Sequence, residues 1–238
     1  CLDAPAGQFV LPPAWKALGL AAWPVDLAQD VTPGTLPPPG AAGPQDLGLE
    51  ALAVRGETAT FSLAVRSAAG EAPAAVSFAW QDAPADLAAE VSRVWYGTSR
   101  GFNSIAYSVR PHTLRPCEAL PLEADVTRQL VLKVRIPQDA RPGEYRGRLT
   151  LRAAGGDLNV PVRLRVSPVV LERDTEFRMG FFGLMPPKGV PAERRDAVLA
   201  QTLELLRDYG ANMVAGGPNF TLTGWKDGEP VIDFAATD

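Results

Sequence analysis

Tyr145-Arg146-Gly147-Arg148-Leu149-Thr150-Leu151-Arg152, followed past Gly155-Gly156 by Val160-Pro161-Val162-Arg163-Leu164-Arg165-Val166, decides how this chain folds. Tyr145, Leu149 and Leu151 fall on one side of an extended backbone, and Arg146, Arg148 and Arg152 fall on the other. A period of two with apolar groups on one side is what a strand with one buried face requires. Gly155-Gly156 reverses the chain into Val160, Val162, Leu164 and Val166, which repeat the pattern. The stretch therefore predicts a β-hairpin with a defined inner face.

The same alternation appears upstream. In 58–66, Phe61, Leu63 and Val65 share one face while Thr60, Ser62 and Arg66 share the other. Val76, Phe78 and Trp80 continue the pattern, as do Leu130, Leu132, Val134 and Ile136 with Lys133 and Arg135 turned outward. Pro137 ends that strand by removing a ladder donor, and Pro142-Gly143 makes the next turn. Alternating strands with no helix among them predict two antiparallel sheets packed face to face over 49–171. The outward arginines read as solvent-facing charge that discourages edge pairing. Residues 1–48 are punctuated by Pro12-Pro13, Pro33-Gly34, Pro37-Pro38-Pro39-Gly40 and Gly43-Pro44. They read as an extension and a Pro-rich surface loop, with one opening strand in the apolar piece Ala21 to Leu27.

At Phe177 the pattern changes. Phe177 to Leu184 is an apolar run without clean alternation, as in a strand buried on both faces. Pro191 suits a first helical position, Glu193 sits in the positive first turn, and Val198, Leu199, Thr202, Leu205, Leu206 and Tyr209 recur at helical spacing. Gly210 supplies a left-handed cap, and Asn212 to Ala215 reads as a second buried strand. Residues 172–238 thus open with a β-α-β unit, the repeat of a parallel sheet or barrel. One such unit cannot bury itself, so more chain is expected after Asp238. Asp227-Gly228 between apolar runs then predicts a decorating hairpin, its register blurred by Trp225.

Composition excludes several classes. Of the 238 residues, 46% are hydrophobic and 21% charged, which is enough apolar material for a core and argues against disorder. A net charge of -4 supplies no footprint for nucleic acid or an anionic membrane surface. No apolar run approaches the roughly 20 residues that cross a bilayer, so a soluble chain is expected. Cys1 is either the lipid-modified first residue of a mature lipoprotein or an arbitrary start. Cys117, in Arg115-Pro116-Cys117-Glu118, is too distant from it in sequence to signal a disulfide framework or a metal site.

Arg55-Gly56-Glu57 leading into Phe61-Ser62-Leu63-Ala64-Val65, and Arg128 to Pro137 running into Arg141-Pro142-Gly143-Glu144-Tyr145-Arg146-Gly147, carry a family resemblance. Leu203-Glu204-Leu205-Leu206-Arg207-Asp208-Tyr209-Gly210-Ala211-Asn212 and Asp227-Gly228-Glu229-Pro230-Val231-Ile232-Asp233-Phe234 extend it. From about Trp23 onward the chain resembles bacterial glycoside-hydrolase-like proteins, family 123 and its uncharacterised relatives. Many of those relatives carry a tryptophan where this chain has Leu130-Val131. The resemblance implies a mainly β fold: an antiparallel, immunoglobulin-like β-sandwich followed by an incomplete α/β segment of (β/α)8, or TIM-barrel, type. It also implies a glycan substrate for the parent protein, no cofactor, and an extracellular, periplasmic or cell-surface location.

Glycoside hydrolysis ordinarily needs two carboxyl groups, which a barrel presents at the C-terminal ends of its strands. The two strand ends read Gly183-Leu184-Met185-Pro186-Pro187 and Gly216-Gly217-Pro218-Asn219-Phe220, without a carboxylate. The resemblance implies catalytic acids on a later strand, so no catalytic residue is expected within these residues. Asn219 and Phe220 are candidates to line a substrate cleft, against a turn position and a core aromatic as simpler roles. Trp95 and Tyr96, grouped with Phe102 and Tyr107, are candidates for a sugar-stacking platform, against core packing. His112 reads as structural, and no metal cluster, phosphate loop or nucleophile elbow is present. The leading expectation is an accessory sandwich and barrel start of a glycoside-hydrolase-like protein. The alternatives are a non-catalytic carbohydrate-binding sandwich and a purely structural one.

Overall fold

Leu149 and Leu151 face the interior because the strands at 143–153 and 156–170 pair antiparallel, with Leu151 opposite Leu158, Leu149 opposite Val160 and Tyr145 opposite Leu164. The computed structural model describes residues 10–68, 71–81, 87–100, 105–172, 180–182, 189–215, 221–226 and 229–233. Cys1, Phe102, Asn219, Phe220, the Asp227-Gly228 turn and the stretches 183–187 and 216–220 lie outside them. The fold is mainly β, and the chain divides into two compact units, Cys1–Leu171 and Glu172–Asp238. Among the described residues no helix is long and apolar enough to cross a membrane.

The first unit is built on two five-stranded sheets. One has the order β1 (Leu20–Pro24), β3 (Thr58–Ser67), β8 (Thr127–Arg135), β5 (Ala88–Arg100), β6 (Tyr107–Pro116). The other has the order β2 (Leu49–Arg55), β10 (Gly156–Val170), β9 (Gly143–Ala153), β4 (Glu71–Trp80), β7 (Ala119–Leu122). Phe61, Leu63 and Val65 of β3 join Leu130, Leu132 and Val134 of β8 from the first sheet in one buried cluster. Leu149, Leu151, Leu158, Val160, Val162 and Leu164 meet them from the second. Burial of apolar area at about 25 cal/mol per Å² makes this shared face the main stabilising feature.

Among the described residues, seven of the eight strand pairings in the first unit are antiparallel, but β2 runs parallel to β10, with Leu49 opposite Val162 and Ala53 opposite Val166. The sandwich is therefore not wholly antiparallel. Most of the unit lies between these two strands in sequence, so no tight turn dictates their direction. The long hairpin β5–β6 also goes beyond the strands legible from alternation. Its β6 strand tolerates Pro111 and Pro116 because it is a sheet edge, where a missing donor breaks no ladder.

Two close approaches use glycine. At Gly147 a Cβ would lie 2.6 Å from Phe78 Cζ, so the missing side chain admits the Phe78 ring, itself edge-on to Trp80 at 4.9 Å. At Gly155 a Cβ would meet the Ala17 and Leu18 carbonyl oxygens at 2.7 Å. The 3-10 turn Pro13–Leu18 thus lies directly against the β9–β10 turn.

Residues 10–48 are integral to the sandwich. β1 pairs with β3, Trp15, Val31 and Leu47 are buried, and Trp15 Nε1 donates to the Ala42 carbonyl at 3.2 Å. The segment after β1 crosses the outer side of the first sheet, where Trp23, Val31 and Ala64 form a second small cluster. This cover changes the standing of Arg66. It does sit on the face opposite Phe61, Leu63 and Val65, but it is 0% exposed and not solvent-facing. Its Nη1 donates to the Pro33 carbonyl at 3.2 Å and to Thr127 Oγ1 at 3.1 Å, and its Nη2 lies 3.8 Å from Asp125.

In the second unit β11 (Gly180–Phe182) pairs parallel with β12 (Met213–Ala215), and α1 (Arg195–Asp208) lies between them in sequence. Gly210, at φ 85°, closes the helix as its spacing predicts, with the Ala211 N–H donating to the Leu206 carbonyl at 2.9 Å. No residue of α1 is buried. β13 (Thr221–Lys226) and β14 (Glu229–Asp233) form the expected hairpin, and Trp225 lies within the ladder opposite Pro230.

Candidate functional site

The inward-facing rows of the first sheet end in charge. Register sets Val91 opposite Leu132 and Arg93 opposite Leu130 on β5, and Val65 opposite Arg128 on β8. Arg93 and Arg128 therefore continue rows that are otherwise apolar, near the end of the sandwich where β7 belongs to the facing sheet. There Arg93, Trp95, Tyr96 and Arg128 from one sheet and Leu120 and Glu123 from the β7 side line a pocket of about 280 Å³. Between Trp95 and Tyr96 the β5–β6 ladder carries a β-bulge, with His112 as the extra residue on β6, and both aromatic residues line the pocket.

The polar groups are unevenly satisfied. Arg128 Nη2 donates to Glu123 Oε1 at 2.5 Å, whereas Arg128 Nε and Tyr96 Oη are out of solvent with no hydrogen-bond partner among the described residues. Arg115, opposite Arg93 in the ladder, lays its guanidinium 3.8 Å from the Trp95 ring centroid. That cation–π contact occupies one face of Trp95, which is 43% exposed. Neither Arg93 nor Arg115 makes an ion pair with a described residue.

Burial raises the Tyr96 phenol to about 12, against a smaller opposing effect of Arg128. A phenol raised in the folded state contributes stability that is intact below the unfolded value near 10 and lost as pH climbs toward 12. We expect ultraviolet difference titration of the native chain, compared with Tyr96→Phe, to show Tyr96 ionising only near pH 12. All four tyrosines should ionise together near pH 10 in denaturant. A native titration without that late ionisation would show that the Tyr96 hydroxyl is hydrated.

The other sequence candidates lie elsewhere. Tyr107 is 70% exposed opposite Arg100, five positions along β5 from Trp95 and so about 16 Å away at strand spacing. His112 packs against Gly97, 3.3 Å from where a Cβ would be, and makes no hydrogen bond to a described residue, so nothing orients it as a base. Cys117 packs against the main core, and burial pushes its thiol up. Among the described residues no group of three or more metal-ligating side chains occurs. Glu123 is the one carboxylate among the described lining residues, and Arg128 holds it. Two-carboxylate glycoside chemistry therefore has no seat in this pocket.

Arg93, Arg128, Glu123 and Leu120 were not singled out by sequence. The signal that could have found the arginines is their place in inward rows, Val91-x-Arg93 and Arg128-x-Leu130.

No family model matches the chain, and no curated protein matches it. Among solved structures, it is similar in fold to a family 123 glycoside hydrolase from Clostridium perfringens. The TM-score is 0.64 at 15% identity, covering 82% of this chain and 37% of that one. The chain thus spans little more than a third of the length of that enzyme. A secreted serine protease, VesC from Vibrio cholerae, aligns over 51% of this chain and 24% of its own at 12% identity and a TM-score of 0.31. The third ScaB cohesin of R. flavefaciens, in complex with a dockerin, aligns over 50% and 92% at 14% identity and a TM-score of 0.28. At that distance neither bears on what this chain does.

Proposed function

We propose that this chain is the sandwich and barrel start of a glycoside-hydrolase-like protein acting on a glycan, with the reacting carboxylates supplied by residues outside it. The observation that carries this reading is the fold likeness to a family 123 glycoside hydrolase over 82% of the chain. Two features support it. The second unit has the parallel β-α-β order that a (β/α)8 barrel repeats, and α1 keeps Leu203 and Leu205 exposed, as a helix does when its neighbouring units are not yet against it. The described pocket also lacks a carboxylate pair. Aryl glycosides incubated with this chain should show no hydrolysis above the uncatalysed rate, and robust turnover would overturn the reading.

A binding role for the sandwich is favoured by one observation, the pocket in which Trp95, Tyr96 and arginines from two strands meet. Aromatic walls with a few polar groups are the usual make-up of a small-ligand site.

A further inference from the structure

The outer face of the second sheet carries one sign of charge in excess. The inward residues of β9 and β10 are buried, so Arg146, Arg148, Arg152, Arg163 and Arg165 project from the opposite side, where all five are exposed. Among the described residues, three carboxylates pair with them across that face: Glu50, Glu144 and Asp157. The chain as a whole carries a net charge of -4, so the cationic excess is local.

Ion pairing does not account for the arrangement. Arg163 stands directly opposite Arg146 in the ladder, a like-charge pairing that costs a sheet stability. Glu144 accepts from Arg146 Nε at 2.8 Å and lies 3.6 Å from Arg163 Nε, so the two arginines share one carboxylate. The hydrogen bond from Arg146, with the charges of Arg146, Arg163 and Arg165, holds the Glu144 carboxyl below the usual carboxylate range. Arg148 and Arg165 make no ion pair with a described residue. Arg148 stands between Ala79 of β4 and Pro161 of β10, and Ala75, Ser77 and Ala79 are exposed beside β9. The arginines therefore rise from a low, open floor.

Chemistry selects the partner. Outward residues recur roughly 7 Å apart along a strand, and neighbouring strands lie about 5 Å apart. Guanidinium groups in such rows can meet successive anionic groups of one extended chain, each through paired N–H donors. The outward positions of 144–152 and 157–165 include no aromatic side chain. Aromatic anchors dominate protein interfaces and stack the bases of single-stranded nucleic acids, so both lack their usual hold here.

We propose that the outer face of β9 and β10, centred on Arg146, Arg148, Arg163 and Arg165, binds an extended anionic polysaccharide. The inference goes beyond the reading above, and hydrolysis of aryl glycosides neither supports nor overturns it.

The test is calorimetric titration of the whole chain with dextran sulfate, polygalacturonate, unmodified dextran, poly-L-glutamate and duplex DNA at low and moderate salt. At least one of the two anionic polysaccharides should bind, more weakly as salt rises, and unmodified dextran should not. Which of the two binds more tightly tells whether sulfate or carboxylate is the preferred group. The double variant Arg148→Glu/Arg165→Glu should weaken that binding by about tenfold or more. Both side chains are exposed and outside the ion pairs, so its unfolding transition should be unchanged. Arg148→Gln/Arg165→Gln should weaken binding by less and serves if the glutamate variant fails to fold. Arg100→Glu/Arg110→Glu makes the same change in net charge at exposed positions of β5 and β6 in the other sheet, and should alter affinity by less than about twofold.

Equal weakening by the two glutamate variants would overturn the site in favour of a general effect of net charge. Poly-L-glutamate or duplex DNA binding as tightly as the polysaccharides would overturn the choice of partner. Absence of binding to both anionic polysaccharides by a natively folded chain would overturn the inference outright.

Discussion

Replacing Arg66 by alanine is expected to destabilise the sandwich by about 3–5 kcal/mol, the range for removing one member of a buried charged network. The side chain is 0% exposed and joins three parts of the unit: β3, the Pro33 carbonyl of the covering segment, and Thr127 at the start of β8. Thr127 Oγ1 in turn donates to the Thr35 carbonyl at 2.5 Å, so the same network holds the covering segment at a second point. Burial lowers the guanidinium's proton affinity and Asp125 raises it, a competition won by burial. Asp125→Asn should cost about 1 kcal/mol or less, because that carboxylate is 38% exposed and 3.8 Å away. Urea unfolding followed by far-ultraviolet circular dichroism measures both. Equal losses in the two variants would mean that the ion pair, and not the contacts to Pro33 and Thr127, is what Arg66 contributes.

Leu130→Ala should cost about 2–5 kcal/mol, the range for truncating a fully buried leucine between packed layers. Leu130 is 1% exposed, stands opposite Leu63 on β3 and Arg93 on β5, and belongs to the main core between the sheets. Leu52, 68% exposed on β2 of the other sheet, serves as the control and should change stability by less than about 0.5 kcal/mol when truncated. Because Leu130 lies between Leu63 and Arg93 in the sheet, its truncation also loosens the support under the pocket. Unfolding curves that place the two variants together would show that Leu130 is not held between the layers.

The 143–166 hairpin was legible because each of its strands has one dry and one wet face, which prints a two-residue period on the chain. The same physics exposed β3, β4 and β8, and the helical spacing with Gly210 located α1. Arg66 was not legible. Its alternation placed it correctly on the outer face, but whether that face is wet depends on where the segment after β1 lies. Prolines stiffen that segment without saying what it covers. Trp95 and Tyr96 stood out by residue type, whereas Arg93 and Arg128 did not, since an inward arginine contradicts the pattern that identifies a strand.

The residues alone determined β3, β4, β8, β9 and β10 with their inner faces and the change to a β-α-β order after 171, because these follow from contacts between residues a few positions apart. Only the tertiary structure decided that β2 lies parallel to β10, that residues 10–48 complete the sandwich, and that Arg93, Trp95 and Tyr96 of β5 meet Arg128 of β8 at one pocket. Strand neighbours and face coverage are set by pairings between distant parts of the chain. Such pairings are chosen by the competition of all faces for burial, which no local period records.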